Sequence, residues 1–352
     1  MKQLLKLSFL LFAPFMWAQV YQNAESVEYD TVNDQWLVAN GSRMLTDDGS
    51  GNLGFFGTGN ASHGTEVLGN TVFSVASNRI KGYDLTTEEQ VMDLVIPGVS
   101  FLNGLTNDGS NTLYVTDFSA SRIYSIDVSD VDNPTFDQLI ANTGDTPNGI
   151  LYDGDNNRLL YVTWGGGARI KAIDLDTLAI TTLVNTGLGS IDGIVRDEFG
   201  LYYISSWNPA RITKYSEDLT NPETVSTPSL NSPADIGVSP GQILGIPMGT
   251  SVIFVDLKVL GTNDFDDNPL SYGVSSNPIN ETSFIQFNLT EFTDVSLEIY
   301  DATGKLIVNL FQQENAIGKH SVLLAGLDLS SGFYFASLKT SKGSFVEKLI
   351  VR

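Results

Sequence analysis

A sixfold internal repeat constrains the fold of this chain more than any other feature of its sequence. Each repeat opens with a polar residue, continues through a polar turn and returns as an apolar run such as 113–116 or 160–163. Successive opening residues are 38, 40, 45, 44 and 43 positions apart, which is the length expected of one four-stranded propeller blade. The opening residues are Glu25, His63, Asn103, Asn148, Asp192 and Asp235. The sequence therefore predicts an all-β fold with a six-bladed β-propeller over residues 19–260.

A second repeat, an Arg-Ile pair, fixes the register of the blades independently. It marks the third strand of four repeats, and it stands at 79, 122, 169 and 211. The last repeat is short of an outer strand, and we expect residues 20–22 to supply that strand and close the ring.

The six opening residues are expected to meet at one mouth, because the innermost strand of every blade starts near the central axis. Three of them are carboxylates, which repel one another in a partly dry funnel unless a cation or protons neutralise them. The chain has no cysteine, so a metal ion would need oxygen ligands or histidine. Such ligands favour calcium, magnesium or manganese over structural zinc.

Composition and the chain's N-terminal end bear on where the protein acts. The 41 Asp and Glu against 19 Lys and Arg disfavour unaided binding to nucleic acid. Residues 1–18 carry two lysines followed by a short apolar run, which is typical of a secretory signal peptide. No later segment has the length of apolar sequence that a membrane span needs. The sequence predicts an exported protein without a transmembrane segment, and we expect it to be a monomer.

The C-terminal part of the sequence predicts a second domain. Residues 261–272 form a polar, acidic linker, and residues 273–352 contain short alternating strands spaced for a small Ig-like β-sandwich. This domain resembles the C-terminal sorting domain of type IX secretion substrates. The resemblance rests on the motifs SNP at 276, LEIYDATGK at 297, LSSGFY at 329 and KLIVR at 348. It implies recognition by the type IX machinery, passage across the inner and outer membranes, and an extracellular or cell-surface location; an ordinary adhesion module is the alternative.

The propeller resembles the family of gluconolactonases, senescence marker protein and luciferin-regenerating enzyme. The matching residues are Glu25, Asn148 after Pro147, and Asp192, with Asn103 at a further asparagine of the family's site. The resemblance implies that Glu25, Asn148 and Asp192 bind one divalent ion (calcium, zinc, magnesium or manganese). It also implies hydrolysis of sugar lactones or related esters.

The remaining candidate residues would serve that reaction. Asp192 or His63 could take a proton from water, while Asn103 and Asp235 would orient water or substrate. Asp117, Trp164 and Trp207, with Phe118, stand where second strands end and could wall a pocket for a small-molecule or sugar-derived ligand.

Each assignment has a structural alternative. Asn-Gly and Asp-Gly are common turn dipeptides, and His63 could merely be hydrogen-bonded in a loop. The aromatic residues could equally cap the packing of the blades. For the whole protein, a metal-dependent lactone hydrolase is the first hypothesis, a non-catalytic propeller that binds a ligand, glycan or protein is the second, and a structural surface component is the third.

Overall fold

The computed structural model describes residues 19–257, 272–275, 277–280, 283–327, 329–340 and 343–351. The expected signal peptide lies outside the described residues, as does nearly all of the expected linker. The chain divides into two compact units, the first within residues 1–261 and the second within 262–352. Within the described residues, no helix is both long and apolar enough to cross a membrane.

The first unit contains six antiparallel sheets. Five sheets have four strands and the sixth has three. In chain order the strands are β1 (Ala24–Asp30), β2 (Gln35–Asn40), β3 (Arg43–Asp47), β4 (Leu53–Phe55); β5 (Thr65–Leu68), β6 (Thr71–Val75), β7 (Arg79–Asp84), β8 (Gln90–Val95); β9 (Leu102–Asn107), β10 (Thr112–Asp117), β11 (Arg122–Asp127), β12 (Thr135–Ile140); β13 (Pro147–Asp153), β14 (Arg158–Thr163), β15 (Arg169–Asp174), β16 (Ile180–Asn185); β17 (Gly189–Arg196), β18 (Tyr202–Asn208), β19 (Ala210–Tyr215), β20 (Glu223–Thr224); and β21 (Gly237–Val238), β22 (Ile243–Pro247), β23 (Val252–Asp256).

The first strands of the six sheets surround one axis. β1 contacts β5, which is followed by β9, β13, β17 and β21, and β21 contacts β1 again. This closed circle of innermost strands confirms the six-bladed propeller. A single 3-10 turn, Gly154–Asn156, is the helical element of the described propeller.

Apolar packing between neighbouring blades stabilises the ring. The second strands β10 and β14 are buried at every position after the first, because their blades are covered by a neighbour on both faces. Ile204 and Tyr202 of blade 5, for example, pack with Leu160 and Val162 of blade 4. Burial of this kind contributes about 25 cal/mol per Å² of apolar surface removed from water.

The ring closes in a way that differs from the sequence-based expectation. Residues 20–22 pack on blade 1, where Asn40 Oδ1 accepts hydrogen bonds from the Gln22 and Asn23 amides, so they add no strand to blade 6. Instead, Ala24 N donates to Gly249 O at 2.6 Å and Gly249 N donates to Ala24 O at 3.0 Å. Direct backbone bonding between the first and last blades thus replaces the expected fourth strand.

The second unit is a β-sandwich built on one long hairpin. Its strands are β24 (Tyr272–Val274), β25 (Phe284–Asp301), β26 (Leu306–Leu323), β27 (Gly332–Thr340) and β28 (Gly343–Val351). The pairing of β25 with β26 shifts register between Leu289 and Thr293, and the side chains before and after that point, such as Phe287 and Leu297, belong to one buried core. The nearly closed sheet agrees with the predicted Ig-like sandwich.

Candidate functional site

The structure brings the six opening residues of the repeats to equivalent positions around the propeller axis. Glu25, Asn103, Asn148 and Asp192 lie near the starts of innermost strands. His63 and Asp235 precede β5 and β21 by two residues. We call these six side chains the polar ring, and the end of the propeller that carries them the mouth.

Close approach of neighbouring innermost strands explains why glycine follows most ring residues. A Cβ atom added to Gly104 would stand 2.6 Å from Asn148 O, and one added to Gly149 would stand 2.5 Å from Asp192 O. Gly64 and Gly193 show the same proximity to the next blade. These glycines lie in or beside strands and have no positive φ. The repeated glycines are therefore spacing residues, and not the turn residues that the dipeptides alone would suggest.

Amide and carboxyl groups of blades 3 to 5 form a continuous hydrogen-bonded chain. Asn103 Nδ2 donates to Asn148 Oδ1 at 2.6 Å, and Asn148 Nδ2 donates to Asp192 Oδ1 at 3.1 Å and to Ile191 O at 3.3 Å. All three side chains are buried. Because Asn148 bonds to both neighbours, its amide is fixed with the oxygen toward Asn103 and the nitrogen toward Asp192.

The ring carboxyls of blades 5, 6 and 1 form an acidic sector, which consists of Asp192, Asp235 and Glu25. Burial, and then the charges of Glu25 and Asp235, raise the pKa of Asp192 well above its ordinary value. Burial raises the pKa of Glu25 to about 7. Burial also raises the pKa of Asp235 to about 7, against the hydrogen bond from Ser26 Oγ at 3.2 Å. Neighbouring charge thus adds to burial at two of the carboxyls: Glu25 and Asp235 disfavour ionisation of Asp192, and Glu25 disfavours ionisation of Asp235.

Two further, half-buried acids, Glu28 and Glu66, were missed in the sequence. They lie on β1 and β5. Burial and the charge of Asp235 raise the pKa of Glu28 to about 8, and burial followed by the charges of Glu28 and Asp235 raises that of Glu66 well above its ordinary value. Asn107 Nδ2 donates to Glu66 Oε1 at 2.7 Å. Both stand three positions after the opening residue of their repeat, which was the available signal, but the other four repeats carry no acid at that position.

His63 is neutral and lies against an aromatic ring. Its Nδ1 is 3.0 Å from Ser62 Oγ, and its ring meets that of Phe101 edge-to-face at 4.7 Å between centroids. Burial lowers the pKa of His63 to about 4, so the imidazole is uncharged at neutral pH and is a weak base.

Asp117 organises a loop and does not line the mouth. Its side chain is fully buried, and its carboxylate accepts hydrogen bonds from Ser100 N at 3.0 Å and Phe101 N at 2.9 Å. This geometry corrects the expectation that Asp117 contacts a substrate, because both oxygens serve backbone amides. Its effect on the site is indirect, through the position of Phe101.

Aromatic side chains form a continuous arc across blades 2 to 5, starting at His63 of the polar ring. Beyond the His63–Phe101 contact, centroids lie 5.6 Å apart for Phe101 and Phe118, 5.8 Å for Phe118 and Trp164, and 4.8 Å for Trp164 and Trp207. Phe101 is 37% exposed and Trp207 40% exposed. We call this set the aromatic arc. Phe101 was missed as a member, because its place depends on a loop that Asp117 holds.

Trp207 joins the aromatic arc to the acidic sector. Its Nε1 donates to Pro233 O at 3.1 Å, and the nearby indole lowers the pKa of Asp192, against the larger effect of burial. Trp164 N donates to Thr146 O at 2.9 Å, which fixes the backbone just before the β13 strand that carries Asn148. The two tryptophans thus contact the segments that precede β13 and β21.

The donors of the polar ring suit a hard divalent cation in chemistry but are not arranged as a closed site. Carboxylate and amide oxygens from Glu25, Asn148 and Asp192 are ligands that calcium, magnesium and manganese accept. Within the part of the chain that the structure describes, no group of three or more Asp, Glu or His side chains is gathered closely enough to hold an ion. The amide of Asn148 is already shared between Asn103 and Asp192.

Comparison with known proteins identifies the second unit. Residues 276–352 match the family of secretion system C-terminal sorting domains. The chain is therefore an exported propeller protein, directed through type IX secretion to the cell surface or the extracellular space, and its C-terminal domain interacts with the secretion machinery. No curated protein matches the chain.

Solved structures similar to this chain share the propeller fold. One is in the nidogen/laminin complex, with a TM-score of 0.56 and 18% identity over 64% of this chain and 90% of that one. A gluconolactonase from Xanthomonas campestris has a TM-score of 0.55 and 16% identity over 67% and 86%. A Bacteroides thetaiotaomicron protein of unknown function has a TM-score of 0.55 and 12% identity over 67% and 70%. At these identities the likeness establishes the propeller fold alone.

Proposed function

We propose that the exported propeller binds a small organic ligand at its mouth. The aromatic arc carries this proposal. Its rings are in contact from blade 2 to blade 5, and two of them, Phe101 and Trp207, keep more than a third of their surface exposed. Exposed aromatic surface that is continuous, and not scattered, is typical of a binding site. The polar ring beneath it supplies hydrogen-bonding groups for the ligand's orientation.

The arc and the ring fit complementary parts of one ligand. Ring faces of Trp164 and Trp207 suit the apolar face of a sugar-derived or other cyclic group. Asn103 and Asp235 remain candidates for polar contacts with the ligand, although Asn103 already donates one amide hydrogen bond to Asn148. The mouth thus combines an apolar wall and a polar floor, which is the usual composition of a small-molecule site.

Tryptophan fluorescence tests the proposal directly. Trp36 is buried, so a ligand at the mouth should change the emission of Trp164 and Trp207. We would titrate the full exported protein with glucose, gluconate, glucono-1,5-lactone and simple amines. Trp207→Ala should weaken a detected ligand about tenfold or more, since burying an aromatic side chain contributes about 1.5–3 kcal/mol.

Phe199→Ala provides the matched control. Phe199 is 66% exposed and lies in the turn between β17 and β18, at the opposite end of blade 5 from Asp192. This variant should leave affinity unchanged. Equal weakening by both variants, or ligand binding that leaves Trp164 and Trp207 unaffected, would contradict a site at the mouth.

Metal-dependent hydrolysis of lactones or related esters is a second candidate function. The acidic sector supports it, because its three carboxyls lie on consecutive blades, have raised pKa values and have no cationic partner among the described ion pairs. Glu25, Asn148 and Asp192 would hold the divalent ion. When bound, the ion would polarise the ligand's carbonyl group.

The chain's own groups would then position the reactants. Asp235 and Asn103 would orient water or substrate, and Asp192 or His63 would accept a proton. The low pKa of His63, about 4, makes it the weaker base of the two. The arc would enclose the substrate and limit access of bulk water.

Metal analysis separates the two candidates. The full protein would be assayed for bound metal and for a rise in Tm with calcium, magnesium, manganese or zinc, and then for lactone turnover. Asp192→Asn combined with Asn148→Ala should abolish a metal-induced Tm rise. If a ligand binds but neither bound metal nor lactone turnover is found, the binding function stands and the hydrolase function is wrong.

A further inference from the structure

Charge is distributed unevenly around the polar ring. The acids Asp192, Asp235 and Glu25 occupy the consecutive blades 5, 6 and 1, whereas blades 2, 3 and 4 contribute the uncharged His63, Asn103 and Asn148. Asp192 is only 3% exposed. Its Oδ1 has a hydrogen bond from the neutral Asn148 amide, and none of the nine ion pairs in the described part of the chain includes a carboxyl of the acidic sector.

The aromatic arc occupies the other side of the mouth and overlaps the acidic sector at one point. It runs from His63 in blade 2 to Trp207 in blade 5. At Trp207 it reaches the acidic sector, because the indole Nε1 donates a hydrogen bond to Pro233 O, two residues before Asp235. A ligand at the mouth therefore meets carboxyl groups on one side and aromatic rings on the other.

This juxtaposition is complementary to a particular kind of ligand. Carboxylates attract positive charge, and the negative faces of Trp and Phe rings do so as well, which contributes about 0.5–2 kcal/mol per contact. A bare metal ion would leave the aromatic arc without a contact. A positive charge at the mouth would favour the ionised form of the three carboxyls, whereas a neutral sugar would leave them without a cationic partner and an anionic sugar acid would oppose their ionisation.

We propose that the mouth recognises an organic cation, an amine or quaternary ammonium that carries apolar substituents. Its charge lies against Asp192, Asp235 and Glu25, and its substituents pack on the aromatic arc. This inference rests on the proposed ligand-binding function and names the ligand class for the same site.

Choline and 3,3-dimethylbutan-1-ol provide the test, because they have nearly the same shape and differ in the positive charge. Both would be titrated into the full exported protein, with tryptophan emission and calorimetry as readouts. We expect choline to bind at least tenfold more tightly than the neutral alcohol. Benzyltrimethylammonium should bind more tightly than choline, because its ring adds contact with the arc.

Two kinds of variant assign the effect to the two sides of the mouth. Asp235→Asn should weaken choline about tenfold and leave the neutral alcohol unaffected, while Trp207→Ala should weaken both. Phe199→Ala should change neither. Glu25→Gln gives an independent measure of the charge effect if Asp235→Asn has a lowered Tm.

The outcomes distinguish this inference from the proposed function. Equal affinity for choline and its neutral isostere, or a sugar ligand that binds while no cation does, would overturn the organic-cation assignment and leave ligand binding intact. Calcium binding without any choline binding would overturn it in favour of a metal site. If no sugar, lactone or cation binds, both the ligand-binding function and the organic-cation assignment are wrong.

Discussion

At the scale of single residues, Gly149 shows what the innermost strands demand. A Cβ at this position would stand 2.5 Å from Asp192 O and 2.9 Å from Gly193 Cα. Both are backbone atoms, which cannot move away by a change of side-chain rotamer. Gly149→Ala should therefore lower the free energy of unfolding by about 1–3 kcal/mol, measured by chemical denaturation. Gly166→Ala is the control, because a Cβ there meets nothing within 4 Å and the residue has no positive φ. Equal stability of the two variants would contradict the close approach.

Glu66 gives a prediction about pH at the same scale. Its pKa in the folded protein is raised well above the ordinary value of 4.5, so folding favours the protonated form. The folded state then binds more protons than the unfolded chain, and stability is lost as pH rises from about 4.5 through the folded pKa. Glu66→Gln should raise the Tm relative to wild type at pH 8 and change it little at pH 4. The scans would contain a chelator, so that no bound cation offsets the charge.

An exposed glutamate provides the comparison for that experiment. Glu89→Gln, in the turn before β8, removes a carboxyl that is exposed to solvent. It should leave the difference in Tm between pH 4 and pH 8 as it is in wild type. The prediction is wrong if Glu66→Gln and Glu89→Gln change that difference equally.

The polar ring was accessible from the sequence because periodicity carries over directly into position around an axis. Six residues that share one position within the sequence repeat also share one position within the six blades. Glu28 and Glu66 both stand three positions after an opening residue, but the other four repeats carry no acid at that position, so the sixfold pattern did not mark them. Their partial burial follows from the narrowness of the ring centre, which is a property of the closed fold. The reason for the ring glycines was also hidden, since close approach between blades is a tertiary effect.

At the scale of elements, the hairpin of β9 and β10 is tied to its preceding loop by Asp117. The carboxylate accepts hydrogen bonds from the amides of Ser100 and Phe101. Asp117→Asn keeps the shape but places an N–H group against backbone donors. We expect a loss of about 1–3 kcal/mol in stability and weaker ligand binding, because Phe101 would lose its fixed place in the aromatic arc.

A neighbouring aspartate isolates the effect of this tie. Asp127 ends β11 and accepts a hydrogen bond from Ser129 N at 2.8 Å in an exposed turn. Asp127→Asn should leave ligand affinity unchanged. If Asp117→Asn lowers stability but leaves affinity intact, then Phe101 keeps its position without the carboxylate, and the indirect role of Asp117 is wrong.

Strands were easier to predict than their closure. β10, β14 and the Arg-Ile strands carry patterns of β-forming residues between turn signals, and such local patterns survive into the structure. The contact that closes the ring joins Ala24 to Gly249. This pairing is set by the geometry of the whole circle, and two short segments of unremarkable composition cannot reveal it.

At the scale of the whole molecule, the two units differ in what their sequences disclose. The sorting domain carries several motifs in order, and its family and export route follow from them. The propeller shares its fold with proteins as different as a gluconolactonase and a component of the nidogen/laminin complex. Fold alone therefore does not select a chemistry, and the site must be argued from its aromatic arc and acidic sector.

We expect export and ligand binding to depend on different units of the chain. A chain that ends at Gly261 keeps all six blades, since β23 ends at Asp256 and the first compact unit reaches Gly261. In a host with type IX secretion, we expect this shortened chain to remain inside the outer membrane while the full chain reaches the surface or medium, as measured by fractionation. Purified from the cells, it should bind mouth ligands with the affinity of the full chain. Export of the shortened chain at full-chain levels would show that the propeller carries a sorting signal of its own, and lost affinity with an unchanged Tm would show that the C-terminal domain contributes to the site.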